Sequence, residues 1–215
     1  MYQVKDNFLF KDGVRVKYRP SPNRGRKITP EIIVIHYTGD NSMEGAVSWL
    51  ASSKSGVSAH LVIGKDGSVV QLVPFNVVAW HAKGHYDGLT VNSRSIGIEN
   101  VGFGDNWPKA QIEAIRDICS ALAVAYPIVE MIGHVDIPDR TPGHDDPGPR
   151  FPWDAVTDSP AEPEKAPEPP PMEPPAPVPP APEYAGGPEP EVAAGKPSVV
   201  GAVVDFLKWF FVPRK

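Results

Sequence analysis

The chain has 215 residues, a formal net charge of −5 and a single cysteine, Cys119. The acidic balance gives no indication of nucleic-acid binding, and one cysteine excludes an intramolecular disulfide. Charges interrupt the first twenty residues every few positions. This segment cannot act as a secretory signal peptide, so we expect a protein that is made in the cytoplasm.

The predicted elements, taken in chain order, mix strands and helices and indicate an α/β domain. Hairpins are predicted around two Asp-Gly pairs, at 12–13 and 66–67, because apolar strand residues flank each pair. Buried strands are predicted for the apolar runs EIIVIHYTG, SIGIENV and VEMIGH. Helices are predicted for SMEGAVSWLASS, with Ser42 as the N-cap, and for PKAQIEAIRDICSALAVAY, which starts with Pro108.

The composition changes at about residue 158. Residues 158–197 are rich in Pro, Ala and Glu and have few large apolar side chains to bury, which predicts a disordered, extended linker. A Pro-rich ligand for another protein is the alternative to an inert spacer. The folded, catalytic domain is therefore expected over residues 1–157, a length that allows a sizeable core.

An apolar segment, 198–215, ends the sequence. Its run from Val199 to Val212 is shorter than the roughly 20 apolar residues that a bilayer span needs. On a helical wheel, Gly201, Asp205 and Lys208 share one narrow face and apolar residues cover the rest. This pattern predicts a short amphipathic helix that lies on a membrane surface. A helix that docks on the domain or on a partner is the alternative.

Possible metal ligands and acids occur where predicted strands end. His36 follows EIIVI, Glu99 lies in SIGIEN, and His134 follows VEMIG. Sites in α/β folds are commonly built where strands lead into loops at one edge of the sheet. These three side chains are therefore candidates for a common site.

A catalytic zinc site needs three His, Asp, Glu or Cys ligands and one position that stays open for water. His36 and His134 are candidates, and the loop that follows can supply a carboxylate. Asp146 is favoured over Asp145 because a Pro-Gly-Pro sequence directly follows it and restrains its backbone. Glu99 is the candidate general base. From spacing alone, unrelated structural histidines and solvated loop acids remain the alternative.

Five ordered motifs carry a resemblance to a known family. The chain resembles the zinc-dependent N-acetylmuramoyl-L-alanine amidases, which include phage endolysins, amidases of cell-wall recycling and peptidoglycan-recognition proteins. The motifs are IVIHYTG (33–39), VSAHLVIGKDGSVVQLVP (57–74), AWHAKG (79–84), SIGIEN (95–100) and GHVDI…DDPGPRFPW (133–153). The resemblance implies a mixed central β-sheet flanked by helices, in an amidase or peptidoglycan-recognition-like fold.

The resemblance also implies roles for individual residues. The family's zinc ligands correspond to His36, His134 and Asp146, and the glutamate base of the recycling-type branch corresponds to Glu99. The resemblance thus implies hydrolysis of the amide bond between N-acetylmuramic acid and L-alanine. Zinc and Glu99 would activate water, and Glu99 would then pass a proton to the leaving amine.

Three further residues follow from the same motifs. Trp80 and His81 match a WHA motif that lines the family's substrate groove. His144 stands where the family often has a lysine that stabilises the oxyanion. A histidine can also donate a hydrogen bond there, and we then expect activity to depend on pH near the ordinary histidine pKa of roughly 6.5. A solvent-exposed loop histidine is the alternative, and His60 is expected to be structural.

The favoured interpretation is a phage or prophage endolysin that acts on peptidoglycan as a monomer. Release through a holin-made lesion would bring it to the cell wall, and the C-terminal helix would hold it at a membrane. A cytosolic amidase that recycles muropeptides is one alternative, although recycling needs neither linker nor membrane helix. A recognition module that binds peptidoglycan without cutting it is the other.

Overall fold

The computed structural model describes residues 1–157. Within these residues three helices cover Met43–Leu50 (α1), Lys109–Ala125 (α2) and Trp153–Thr157 (α3). Short 3₁₀ turns cover Val91–Ser93 and His134–Asp136. The strands of the same part of the chain are β1 (Tyr2–Lys5), β2 (Phe8–Lys11), β3 (Val14–Arg15), β4 (Lys17–Tyr18), β5 (Arg24–Lys27), β6 (Ile32–Tyr37), β7 (Leu61–Ile63), β8 (Val69–Gln71), β9 (Val77–Ala79), β10 (His85–Tyr86), β11 (Leu89–Thr90), β12 (Ser95–Asn100) and β13 (Glu130–Gly133).

A mixed six-stranded sheet forms the centre of the domain. Its strand order is β13-β6-β12-β7-β8-β4. The four strands from β13 to β7 are mutually parallel, whereas β7 and β8 pair antiparallel. The predicted hairpins are confirmed, because β2 pairs with β3 across residues 12–13 and β7 pairs with β8 across residues 66–67. The predicted mixed α/β class is therefore confirmed.

The two faces of the sheet have different neighbours. On β6, Ile33 and Ile35 pack in the main core against Ile115 and Ile118 of α2. Ile32 and Val34 point to the opposite face, where they pack in a smaller apolar cluster. Successive side chains of a strand alternate between faces. His36 therefore leaves β6 on the face away from α2.

The helices follow their sequence signals. Ser42 caps α1 as predicted, because its hydroxyl accepts a hydrogen bond from the Gly45 amide at 2.9 Å. Helix α2 buries Ile115, Ile118 and Leu122, whose spacing puts them on one side of the helix. Pro108 occupies the N-cap position, where its missing N–H leaves no donor unsatisfied.

Several short strands were not predicted, among them β1, β5 and β9. Each has only three or four residues, and neither the exposed, charged run of β5 nor the three-residue apolar run of β9 is long enough to mark a strand. The predicted linker, 158–197, and the predicted amphipathic helix, 198–215, lie outside the described residues. None of the helices in residues 1–157 is long and apolar enough to cross a membrane.

Candidate metal centre and substrate cleft

Three adjacent parallel strands bring the predicted strand-end residues together. His36 on β6 and Glu99 on β12 are register partners. Gly133, the last residue of β13, pairs with Ile35, so His134 follows at the level of His36. The three side chains therefore reach one edge of the sheet, as the sequence predicts.

His36, His134 and Asp146 form a buried cluster. Their exposed fractions are 2%, 4% and 5%. His36 Nδ1 lies 2.8 Å from Asp146 Oδ2, and His134 Nδ1 lies 3.3 Å from Asp146 Oδ1. One ligand atom from each residue lies within 4.8 Å of the others. Two ring nitrogens thus converge on the two oxygens of one carboxylate.

Arg140 stabilises the loop that carries Asp146. The Arg140 guanidinium donates to the His144 carbonyl at 2.9 Å and pairs with Asp145 at 3.1 Å. The Asp146 carbonyl accepts from the Val135 amide at 2.9 Å, which ties the loop to the turn after β13. These bonds hold the Asp146 carboxylate against the two histidines, whereas Asp145 points to solvent with a 70% exposed side chain.

Burial and hydrogen bonding together set the charge states of the cluster. Burial lowers the pKa of His36, although the bond to Asp146 opposes this effect. Burial alone would raise the pKa of Asp146, but hydrogen bonds with His134 and His36 outweigh it and hold the pKa below its usual range. A neutral imidazole and an ionised carboxylate are the forms that bind metals.

The Glu99 carboxyl is close to this cluster. Its Oε2 atom is buried and has no hydrogen-bond partner within residues 1–157. Burial, followed by the nearby charge of Asp146, raises the pKa of Glu99 to about 8. A carboxyl group with such a pKa can both accept and donate a proton near neutral pH, which is the property of a general acid–base catalyst.

The donor set fits a catalytic zinc ion. Two imidazoles and one carboxylate are a common ligand set for catalytic zinc, which leaves its fourth position open. All three residues line a cleft of about 260 Å³, so an open position would face the cleft. The residues that the sequence predicted as ligands are thus brought together in a suitable geometry.

Two tryptophans form part of the cleft wall. Trp80 is 41% exposed and Trp49, on α1, is 58% exposed. His144 lines the cleft too, with its ring centroid 4.8 Å from that of His134. The structure therefore brings Trp80 and His144 to the cleft, where their predicted roles would place them. It adds Trp49, which the sequence marked only as a helix residue.

The remaining predicted residue, His81, lines the cleft and also contacts His36, one of the three candidate ligands. Its Nδ1 lies 3.0 Å from His36 Nε2, and its Nε2 lies 2.9 Å from the Ser95 hydroxyl. Ser95 and Arg140 were missed, because a serine within a strand and an arginine within a loop have no distinctive spacing. His60 is fully buried and bonded to the Val77 carbonyl, as expected for a structural histidine.

Comparison with protein families gives one domain-wide match. A family described as N-acetylmuramoyl-L-alanine amidase matches residues 25–149. The 1,6-anhydro-N-acetylmuramyl-L-alanine amidase AmpD of Escherichia coli (strain K12) is 35% identical over 160 residues, which cover 62% of this chain and 86% of that protein.

Two solved structures resemble the domain. A crystal structure of a selenomethionine AmpD derivative has 30% identity and a TM-score of 0.58, and the match covers 66% of this chain and 92% of that one. The N-acetylmuramoyl-L-alanine amidase LysC from Clostridium intestinale URNW has 26% identity and a TM-score of 0.52, with 66% and 94% covered.

Proposed function

This chain belongs to the N-acetylmuramoyl-L-alanine amidase family, and from that premise we propose that it hydrolyses soluble 1,6-anhydro-muropeptides. That the chain is an amidase of this family follows from the match over residues 25–149 and from the relative in Escherichia coli. The soluble substrate is the proposal. It is supported by the curated relatives, which carry the name 1,6-anhydro-N-acetylmuramyl-L-alanine amidase.

One observation carries the proposed chemistry. His36, His134 and Asp146 converge within 4.8 Å, and Glu99 leaves the neighbouring strand at the same level. We propose His36, His134 and Asp146 as the zinc ligands. Zinc bound by them would supply a Lewis acid that polarises the amide carbonyl and acidifies water.

The chain's own groups perform the proton transfers in this proposal. Glu99 accepts a proton from the attacking water and donates it to the nitrogen of the leaving L-alanine. The burial that raises the pKa of Glu99 favours its protonated form, which supports its role in carrying the proton from the water to the leaving nitrogen. His144 borders the cleft beside His134 and donates a hydrogen bond to the oxyanion.

The cleft wall supports recognition of a sugar and its attached peptide. The indoles of Trp49 and Trp80 offer apolar, partly exposed surfaces beside the ligand cluster. Flat aromatic rings can cover the apolar face of a pyranose while leaving its hydroxyl groups solvated. We propose that these two side chains position the N-acetylmuramic acid ring.

A second candidate function, the endolysin interpretation, has its own observation. Residues 158–215 contain the Pro-rich segment and the apolar end, and they extend beyond the matched family region. A tethered enzyme held at a membrane would suit polymeric peptidoglycan. The expected holin-type release and peripheral membrane association belong to this candidate.

Rates on two substrates separate the candidates. The full chain is assayed on a soluble 1,6-anhydro-muropeptide and on intact peptidoglycan sacculi, with new L-alanine amino termini as the readout. The recycling function predicts a kcat/KM for the soluble substrate at least 100-fold above that for sacculi. The opposite ratio overturns it in favour of the endolysin.

Membrane binding is tested separately. We propose that residues 198–215 bind anionic lipid surfaces, because Arg214 and Lys215 follow an apolar segment. The full chain should sediment with phosphatidylglycerol vesicles, and Phe210→Asp should abolish this. Val124→Asp, a charge added at an exposed apolar position of the domain, is the control and should sediment like the wild type. Equal sedimentation of the Phe210→Asp variant would contradict the proposal.

A further inference from the structure

Both ring nitrogens of His36 have partners. Nδ1 faces Asp146 Oδ2 at 2.8 Å, and Nε2 faces His81 Nδ1 at 3.0 Å. The other nitrogen of His81, Nε2, lies 2.9 Å from the hydroxyl of the fully buried Ser95. A line of hydrogen bonds therefore runs from Asp146 through His36 and His81 to Ser95.

When a metal occupies Nδ1 of His36 in place of the hydrogen bond to Asp146, the line of bonds has one consistent set of proton positions. A neutral imidazole carries a proton on one nitrogen and a lone pair on the other. If Nδ1 of His36 offers its lone pair to a metal, its Nε2 carries the proton and donates to His81 Nδ1. His81 Nε2 then carries the proton of that ring and donates to Ser95 Oγ.

We propose that His81 and Ser95 are positioning residues that fix the tautomer and ring orientation of His36 for metal binding. The inference rests on the proposed zinc site. It gives His81 a role other than the substrate contact that the WHA motif implied. Both of its ring nitrogens already bond within the protein, so neither is free for a substrate.

The backbone around His81 is held in place. The side-chain oxygen of Asn92 accepts from the amides of His81 and Ala82, at 3.2 and 2.9 Å. The preceding amide, that of Trp80, donates to the Ser58 hydroxyl at 2.9 Å. A segment anchored at three consecutive amides can hold the His81 ring at a reproducible position, which a positioning role requires.

The sheet makes room for this ring at Gly97. A Cβ atom at that position would overlap the ring of His81. Gly97 lies two residues after Ser95 and two before Glu99, on the site-facing side of β12. Any larger residue would force the His81 ring away from His36. The glycine of SIGIE therefore leaves the space that the His81 ring needs to reach His36.

The other histidine ligand lacks such support. The Nε2 atom of His134 is buried and has no hydrogen-bond partner within residues 1–157. The positioning role of His81 and Ser95 therefore concerns His36 alone. Loss of either residue should loosen one ligand while His134 and Asp146 stay in place.

Zinc affinity, measured by competition with a chelator, tests the inference in the full chain. Partners of metal-bound histidines typically contribute 10- to 100-fold to metal affinity. His81→Ala should lower zinc affinity by about that factor. His81→Asn, whose side-chain oxygen can replace Nδ1 as the acceptor, should recover most of it. Ser95→Ala should lower affinity several-fold, whereas Ser93→Ala, which removes a nearby exposed hydroxyl, should not.

A spectroscopic readout separates positioning from general damage. In the Co²⁺-substituted protein, the visible absorption of His81→Ala should change in position or intensity, and that of His81→Asn should resemble the wild type. Circular dichroism identifies variants that do not fold. If His81→Ala is unfolded, the zinc affinity and spectrum of Ser95→Ala decide the test. Wild-type affinity and an unchanged spectrum in Ser95→Ala and in folded His81→Ala would overturn the inference. A wild type that binds no zinc would instead overturn the proposed zinc function.

Discussion

Glu99 and His36 are register partners on adjacent parallel strands, and both side chains leave the sheet on the face away from α2. Neighbouring strands lie about 4.8 Å apart, so this register alone places the proposed base beside the proposed ligand. A shift of either strand by one residue would turn its side chain into the core. The pairing of β6 with β12 therefore determines the geometry of the site.

Asp146 and Asp145 provide a matched pair for testing the third ligand. Asp146→Asn should lower zinc affinity at least 100-fold, because the neutral amide loses the negative charge that faces both histidines. Asp145→Asn should bind zinc as the wild type does, because its side chain is exposed and the asparagine oxygen can still accept the hydrogen bond from Arg140. Zinc content after dialysis checks both variants. Equal zinc content in the two would contradict the ligand assignment.

Substitutions of His144 test whether this histidine serves in place of the lysine that the family often has at this position. His144→Ala should lower kcat by about 10- to 1000-fold with unchanged zinc content, because a donor to the oxyanion is lost. His144→Lys should restore activity and broaden it toward high pH, since a lysine side chain ordinarily stays charged above pH 8. His85→Ala removes another exposed histidine and is the control. An unchanged rate and pH profile in His144→Ala would show that His144 is only a loop residue.

The exposed indole of Trp49 is expected to contribute to substrate binding. Trp49→Ala should raise KM about fivefold with little change in kcat, because stacking by one aromatic ring contributes about 1 kcal/mol. Leu89→Ala is the matched control, since Leu89 is similarly exposed but does not line the cleft. Steady-state kinetics on a soluble muropeptide measure both. A KM that rises equally in the control would contradict a specific role for Trp49.

Buried His60 makes the stability of the domain dependent on pH. Burial lowers its pKa from 6.5 to about 4, although the Val77 carbonyl opposes this shift. Between these pH values the unfolded chain binds a proton that the folded protein does not, so stability falls as the pH falls from 6.5 to 4. The loss amounts to about 3 kcal/mol.

Urea unfolding of the metal-free protein at several pH values tests this dependence. His60→Asn should reduce the overall stability but also reduce its change between pH 7 and pH 4. The asparagine oxygen can still accept from the Gly97 amide, which bonds to His60 Nδ1 at 3.0 Å. Parallel stability curves for wild type and variant would contradict the assignment.

Much of this site was predictable from the sequence, for definable reasons. His36 and His134 end strands whose apolar runs are long enough to recognise, and parallel strands bring their ends together. Asp146 was separable from Asp145 by the sequence that follows it. In contrast, the roles of Trp49 and Ser95 depend on how α1 and β12 pack, and no local pattern encodes such contacts.

Arg140 shows the same limit within a loop. Its three contacts, to the carbonyls of Ile137 and His144 and to the Asp145 carboxylate, shape the segment that presents Asp146. An arginine among prolines, glycines and acids gives no sign in the sequence that its guanidinium bonds back to its own loop. The hydrogen bonds of His81 with His36 and Ser95 were likewise hidden, because the motif that contains His81 indicates a groove position but not which way its ring nitrogens point.

The most direct test measures turnover and zinc content together in wild type, Glu99→Gln and the surface control Glu113→Gln. The substrate is a soluble 1,6-anhydro-muropeptide, and the readout is the appearance of peptides with a free L-alanine amino terminus. We expect one zinc per chain in all three proteins, with product from wild type and Glu113→Gln and a loss of about 100-fold or more in Glu99→Gln. Full activity of zinc-loaded Glu99→Gln, or no product from zinc-loaded wild type, would contradict this expectation.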